Sequence, residues 1–122
     1  MMSRVTDEGR RSLPAWAVVH VSLVVPVYNE AETVGLFLDR VSEVFGCEPT
    51  VSLEIAFVND GSTDGTLERL LDYQQGDRRI RIVELSRNFG KEAALTAGLQ
   101  VATGQVVVPI DVDLQDPPEL IQ

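Results

Sequence analysis

The chain has 122 residues, 44% hydrophobic and 24% charged, with 6 Pro and 9 Gly, which excludes disordered and low-complexity classes and fits one globular domain. A domain of this size buries roughly two thirds of its unfolded surface, enough for a real core. With 10 Lys plus Arg against 19 Asp plus Glu the formal charge is -9, so a nucleic-acid backbone is repelled, and a phosphorylated ligand needs local positive charge or a bridging metal.

The amino-terminal stretch GRRSLPAWAVVHVSLVVPVYNE places two arginines before an apolar run. It is not expected to be a signal peptide, because His20, Ser22 and Pro26 interrupt the run and no small-residue cleavage site follows. It also falls short of the ~20 apolar residues that a membrane span needs. Residues 1–16 are read as a polar, disordered leader and 17–122 as the domain. Cys47 is the one cysteine; it excludes an internal disulfide, matches no metal-ligand spacing and fits a reducing, cytoplasmic setting.

From residue 21 the pattern alternates four times between a β-branched run and a helical stretch. The runs are VSLVVPV, LEIAFVN, IRIVELS and QVVVPID, each of strand length. Between the first two, Val34, Phe37, Leu38, Val41, Val44 and Phe45 recur at helical spacing. Leu67, Leu70 and Leu71 do the same in the second helix, and the third, KEAALTAGLQVA, is rich in small residues that suit close approach to a sheet. The expectation is an α/β fold: an open, Rossmann-like, mostly parallel sheet of about four βα units with right-handed crossovers and helices on both faces. Such sheets bind ligands outside the carboxyl ends of their strands, where strand order reverses.

The four strand exits are YNE, NDGSTDGT, SRNFGK and DVDLQD, all polar. Asn29 with Glu32 fits a helix N-cap with its capping-box partner, and Glu30 suits the positive end of that helix. Tyr28 can stack a base. One of Ser62, Thr63 and Asp64 is expected to cap the second helix, with Gly61 and Gly65 relieving tight turns. Asp60, at the strand tip, can accept hydrogen bonds from a base or ribose. No Walker-type loop and no G-x-G-x-x-G occurs, which argues against a dinucleotide enzyme. Lys91, the one lysine, opens the third helix against its macrodipole, which costs roughly 0.3–1 kcal/mol unless an anion is near; with Arg87 it can hold a phosphate. Asp111 and Asp113, two apart on a segment expected to be extended, point the same way. Two such carboxylates repel by a few kcal/mol at an effective dielectric near 20. A shared proton, an arginine or a divalent cation such as Mg²⁺ or Mn²⁺ must offset this, and Gln115 can add a ligand oxygen. Asp116 and Pro117 fit the start of another helix.

The segments VSLVVPVYNEAETV, FVNDGSTDGT, LSRNFGKEAALTAGL and DVDLQDPPEL resemble the family 2 glycosyltransferases. They are most similar to the polyprenyl-phosphate sugar transferases, the group of dolichyl-phosphate mannose synthase and the bactoprenol glucosyltransferases. The D-x-D is shared by many glycosyltransferases, whereas SRNFGKEAAL and DLQDPPEL carry the subgroup. The resemblance implies a GT-A fold, with Pro26, Tyr28, Glu30, Asp60 and Ser62 around the donor nucleotide and Lys91, Asp111 and Val112 nearer its diphosphate and sugar. Asp111, Asp113 and Gln115 would hold the metal, making the two aspartates the catalytic pair. Two positions depart from the pattern: Asn59 stands where the family often has a second aspartate, which leaves nucleotide recognition on Asp60, and Val112 stands where alanine is common, which adds bulk near the sugar. The chain resembles the amino-terminal half of a member, with acceptor-binding residues and membrane helices expected beyond Gln122.

The function so implied is inverting transfer of a sugar from a UDP- or GDP-linked donor to a polyprenyl phosphate, with the parent enzyme at the cytoplasmic face of the membrane. The alternatives are a family 2 transferase acting on a saccharide hydroxyl, a nucleotide-binding module without activity, and a phosphoacceptor signalling domain. The last wants an acidic pair after its first strand, where this chain has YNE. The fourth strand is expected at an exposed sheet edge, through which a homo-oligomer could form. His20, the one histidine, is read as structural.

Overall fold

The computed structural model describes residues 15–46 and 48–113. All four predicted runs are strands: β1 (Val19–Val27), β2 (Val51–Asn59), β3 (Ile80–Glu84) and β4 (Val106–Pro109). They alternate with α1 (Val34–Phe45), α2 (Thr66–Gly76) and α3 (Lys91–Val101). A 3-10 turn over Ala15–Ala17 precedes β1, so the last two residues of the expected leader are in this turn and its other residues lie outside those described.

The sheet has the order β3-β2-β1-β4, and every pair is parallel. Parallel strands covered on both faces need apolar residues at successive positions. Leu23, Val24, Val25 and Val27 in β1 and Ile55 through Val58 in β2 are accordingly buried. Leu23, Val25, Val27, Ile55 and Phe57 pack on Val34, Phe37, Leu38 and Val41 of α1 and Leu70 of α2. Phe37 meets Phe57 edge to face at 5.9 Å, a favourable aromatic geometry. Leu71, expected on the same face, is 43% exposed.

On the opposite face Val24 and Val58 pack against Ala94 of α3. Here the small residues have the expected use: a Cβ on Gly98 would run into the Val24 methyl and come within 3.0 Å of Val58 Cγ2. The chain moves outward from β1 to β2 to β3, then returns through α3 to place β4 on the other side of β1. The strand order therefore reverses between β1 and β4, which is where an open α/β sheet offers its crevice. β4 forms one edge of the sheet, as expected.

Candidate functional site

A cavity of about 360 Å³ lies at that reversal, within the range for small-molecule sites. Pro26, Val27, Tyr28 and Glu30 line it from the β1 exit, Asp60 from β2, Asn88, Gly90 and Lys91 from the β3 exit, and Asp111, Val112 and Asp113 from β4. All four strand exits meet there, as the alternation predicted.

The β1 exit is built differently from the expected capping box. Asn29 adopts φ 54, a left-handed conformation that asparagine tolerates better than most residues. Its Oδ1 accepts from the backbone N–H of Thr63 at 2.7 Å and of Asp64 at 3.2 Å. The Asn29 N–H donates to Ser62 Oγ at 2.9 Å. Asn29 thus joins the β1 exit to the β2 exit and does not cap α1, whose N-cap is Thr33 with no side-chain cap bond. The first turn of α1 is closed instead through the Glu30 carbonyl, which accepts from Thr33 and Val34. Ser62 serves this same joint and does not line the cavity.

None of the three candidate caps is the N-cap of α2, which is Gly65 with no side-chain cap bond; Asp64, one residue earlier, accepts from both the N–H and the hydroxyl of Thr66, the first residue of the helix. Gly61 has φ 72, and a Cβ there would collide with the backbone of Arg87 and Asn88, so glycine is required on both counts. Gly65, also expected to relieve a turn, has an ordinary φ of -82.

Asp60 is only 4% exposed. Its Oδ1 accepts from Phe89 N–H at 2.8 Å, and Oδ2 accepts from Gly90 N–H at 3.0 Å and Asn88 Nδ2 at 3.4 Å. The expected nucleotide-binding carboxylate is therefore largely committed to ordering the loop that leads into α3. Asn59, also buried, accepts from Ser62 N–H at 3.3 Å. A second aspartate there would put another charge into a buried position; the amide accepts the same bond without it.

Asp111 and Asp113 both reach the cavity, but not as alternate residues of a strand. β4 ends at Pro109, Val112 and Asp113 form a turn, and the Val112 side chain is 2% exposed. The segment leaves the sheet early because Ile110 and Val112 turn into the core beneath α1. Lys91 Nζ lies 2.5 Å from Asp111 Oδ1. Arg87 does not join it: its guanidinium sits 4.8 Å over the Phe89 ring, away from the cavity lining. Gln115, Asp116 and Pro117 lie outside the described residues.

Burial pushes the Glu30 carboxyl above its ordinary value, opposed by its bond from Tyr28 N–H; the charges of Asp113 and Asp111 raise it further and Lys91 lowers it. Glu30, Asp111 and Asp113 are thus close enough to sense one another. His20 lies at the start of β1, the opposite end from the cavity. Asn88 and Gly90 line the site without having been singled out; only their place in the SRNFGK exit pointed to them.

The described residues contain no helix long and apolar enough to cross a membrane. Glycosyl transferase family 2 matches over residues 22–122. An uncharacterized glycosyltransferase of Synechocystis sp. is 52% identical over 103 residues, covering 84% of this chain and 32% of that protein. A bactoprenol glucosyl transferase of Shigella phage SfX is 48% identical over 101 residues, covering 83% and 33%. The mannosyltransferase PcManGT of Pyrobaculum calidifontis, solved in complex with GDP-Man and Mn²⁺, superposes with a TM-score of 0.69 at 33% identity, over 79% of this chain and 28% of that one. The chain therefore spans about a third of the length of the curated relatives it matches.

Proposed function

This chain belongs to glycosyl transferase family 2, and from that premise we propose that it carries the donor site of an inverting sugar transfer. The donor is a UDP- or GDP-linked sugar and the acceptor the phosphate of a polyprenyl lipid, met at the cytoplasmic face of a membrane. The observation that carries the reading is the convergence of Tyr28 and Glu30 with Asp111 and Asp113 in one cavity at the strand-order reversal. The polyprenyl acceptor is supported by the 48% identity to a bactoprenol glucosyl transferase, and the nucleotide donor by the likeness to a mannosyltransferase holding GDP-Man and Mn²⁺.

The donor set fits a hard divalent ion. Mg²⁺ and Mn²⁺ suit oxygen ligands, and Mg²⁺ commonly takes one or two carboxylates and completes its shell with substrate phosphates and water. Asp111 and Asp113 supply two carboxylates, and no cluster of three acidic, histidine or cysteine side chains forms a protein cage among the described residues. When bound, such an ion would stabilise charge on the departing diphosphate. Gln115 is the candidate for a further ligand oxygen.

In this reading Pro26 and the half-exposed Tyr28 hold the base, and Asp60 acts by fixing the loop at 88–90. Lys91 faces the diphosphate, and Val112, its side chain turned into the core, borders the cavity between the two aspartates. An acceptor phosphate oxygen attacks the anomeric carbon opposite the diphosphate, whose oxygen leaves with the bonding electrons. The second pKa of a phosphate monoester is about 6, so the acceptor is already ionised near neutrality and no side chain must remove a proton.

The test is calorimetric titration of the chain with UDP and with GDP, each with and without Mn²⁺. Metal-dependent binding that Asp111→Ala abolishes is the expected result and ranks the two bases; metal-independent binding unchanged by that substitution would refute the site.

A further inference from the structure

Lys91 is the one lysine of the chain, and it stands in the first turn of α3, where the helix dipole disfavours a cation. What offsets this is Asp111, whose Oδ1 lies 2.5 Å from Nζ. That oxygen belongs to the carboxylate assigned above to a divalent ion. An ammonium at this distance and a doubly charged ion cannot share the same face of one carboxylate without strong mutual repulsion. The lysine side chain is 60% exposed and that of Asp111 27%, so the lysine has room to move while the aspartate is held by the turn at the end of β4.

We propose that Lys91 is a built-in counter-ion of Asp111, which a divalent metal displaces on binding, and that the displaced ammonium passes to the diphosphate of the donor. The inference rests on the donor-site reading above and adds the order of charges within it. Asp111, Asp113 and Glu30 converge on the cavity, and Lys91 is the one cation lining it among the described residues. Without metal, the ammonium lowers the repulsion among these acids, consistent with its opposing effect on Glu30. With metal, that service is redundant and the exposed, flexible stem lets the amine leave.

Two consequences follow from the exchange. Metal alone must break an ion pair to bind, so it binds more weakly than it would to the same aspartates without the lysine. A nucleotide diphosphate gives the displaced amine a new anion, so nucleotide and metal each strengthen the other by the same factor.

The test measures Mn²⁺ binding by the loss of the free-ion electron paramagnetic resonance signal, for the wild-type chain, Lys91→Met, Lys91→Arg and Asp111→Ala. Lys91 is exposed, and equal thermal melts by circular dichroism establish that the variants fold alike. Lys91→Met is expected to bind Mn²⁺ alone about fivefold more tightly, the worth of an exposed ion pair, and Lys91→Arg to stay near wild type. UDP or GDP should then raise Mn²⁺ affinity by a smaller factor in Lys91→Met than in wild type. Mn²⁺ affinity that is unchanged or weaker in Lys91→Met, while Asp111→Ala still abolishes binding, would overturn the exchange and leave the donor site standing. No Mn²⁺ binding by wild type even with nucleotide would remove both.

Discussion

Replacing Glu54 by glutamine should destabilise this fold measurably. Glu54 and Ser22 are register partners on β2 and β1, on the face that α3 covers. Glu54 Oε2 accepts from Ser22 Oγ at 2.5 Å and Thr103 N–H at 3.0 Å, while Oε1 accepts from Arg81 at 3.1 Å and Thr103 Oγ1 at 3.1 Å. Ser22 Oγ in turn accepts from Gly104 N–H at 2.8 Å, and Arg81 also donates to the Val101 carbonyl at 2.7 Å. Burial opposes ionisation here, but these bonds prevail, Ser22 foremost, and bring the carboxyl from 4.5 down to about 2. A shift of that size corresponds to roughly 3 kcal/mol. Arg81 is 44% exposed, so solvent screening leaves about 1–2 kcal/mol. Glutamine adds a clash, since its NH₂ must face either the Thr103 N–H or the arginine, and the expected total is about 2 kcal/mol. For a chain of this size that lowers the melting temperature by about 8 °C. Thermal melts followed by circular dichroism near neutral pH measure it. The folded pKa is depressed, so the stabilisation is present above 4.5 and is lost as pH falls toward about 2; the glutamine variant should lack that limb. A melt within about 1 °C of wild type at neutral pH would refute the argument.

Gly98→Ala would press its new methyl on Val24 and Val58, lifting α3 from the sheet at a cost of about 1–3 kcal/mol; an unchanged urea midpoint would show that the contact is slack. Asn29→Gly keeps the left-handed backbone but removes the acceptor for Thr63 and Asp64, costing about 1 kcal/mol. Asn29→Ala should lose about 1 kcal/mol more through its φ. Amide exchange at Thr63 and Asp64 should accelerate in both, and unaltered protection would mean that the two exits are not joined through this side chain.

The sheet was legible because its signal is local: each strand is a compact β-branched run, and the helix between carries its own period. The polar exits were legible as a set for the same reason, since parallel alternation delivers every strand's carboxyl end to one rim. What each polar residue does there was not. Asn29 meets Thr63 and Asp64, and Asp60 meets residues 88–90, across separations that no local pattern encodes. The propensity for an N-cap at Asn29 is real, but it competes with two backbone donors from the neighbouring exit, and those prevail once β1 and β2 lie side by side. Asp111 and Asp113 were placed correctly in the cavity though not by the reason expected, because the strand gives way to a turn before the second aspartate.

The exits thus hold residues that bind the protein, residues that face its cavity and, in Asp60, one that does both. Asn29, Asn59, Asp60, Ser62 and Asp64 spend much of their hydrogen-bonding capacity on neighbouring loops. Their bonds fix the backbone from which Tyr28, Glu30 and Lys91 project. Asp111 is positioned from the far end of the sheet as well: the Glu54 network ties the Thr103–Gly104 connection to β1 and β2, and β4 runs from there in register with β1 to the cavity. Loop residues ordered in advance lose less entropy when a ligand arrives. On the donor-site proposal, an acidic chain would bind a diphosphate with few cations, provided that the one lysine and any metal stand where the charge of the ligand will be, and the positions of those charges would be set by residues that need not touch the ligand.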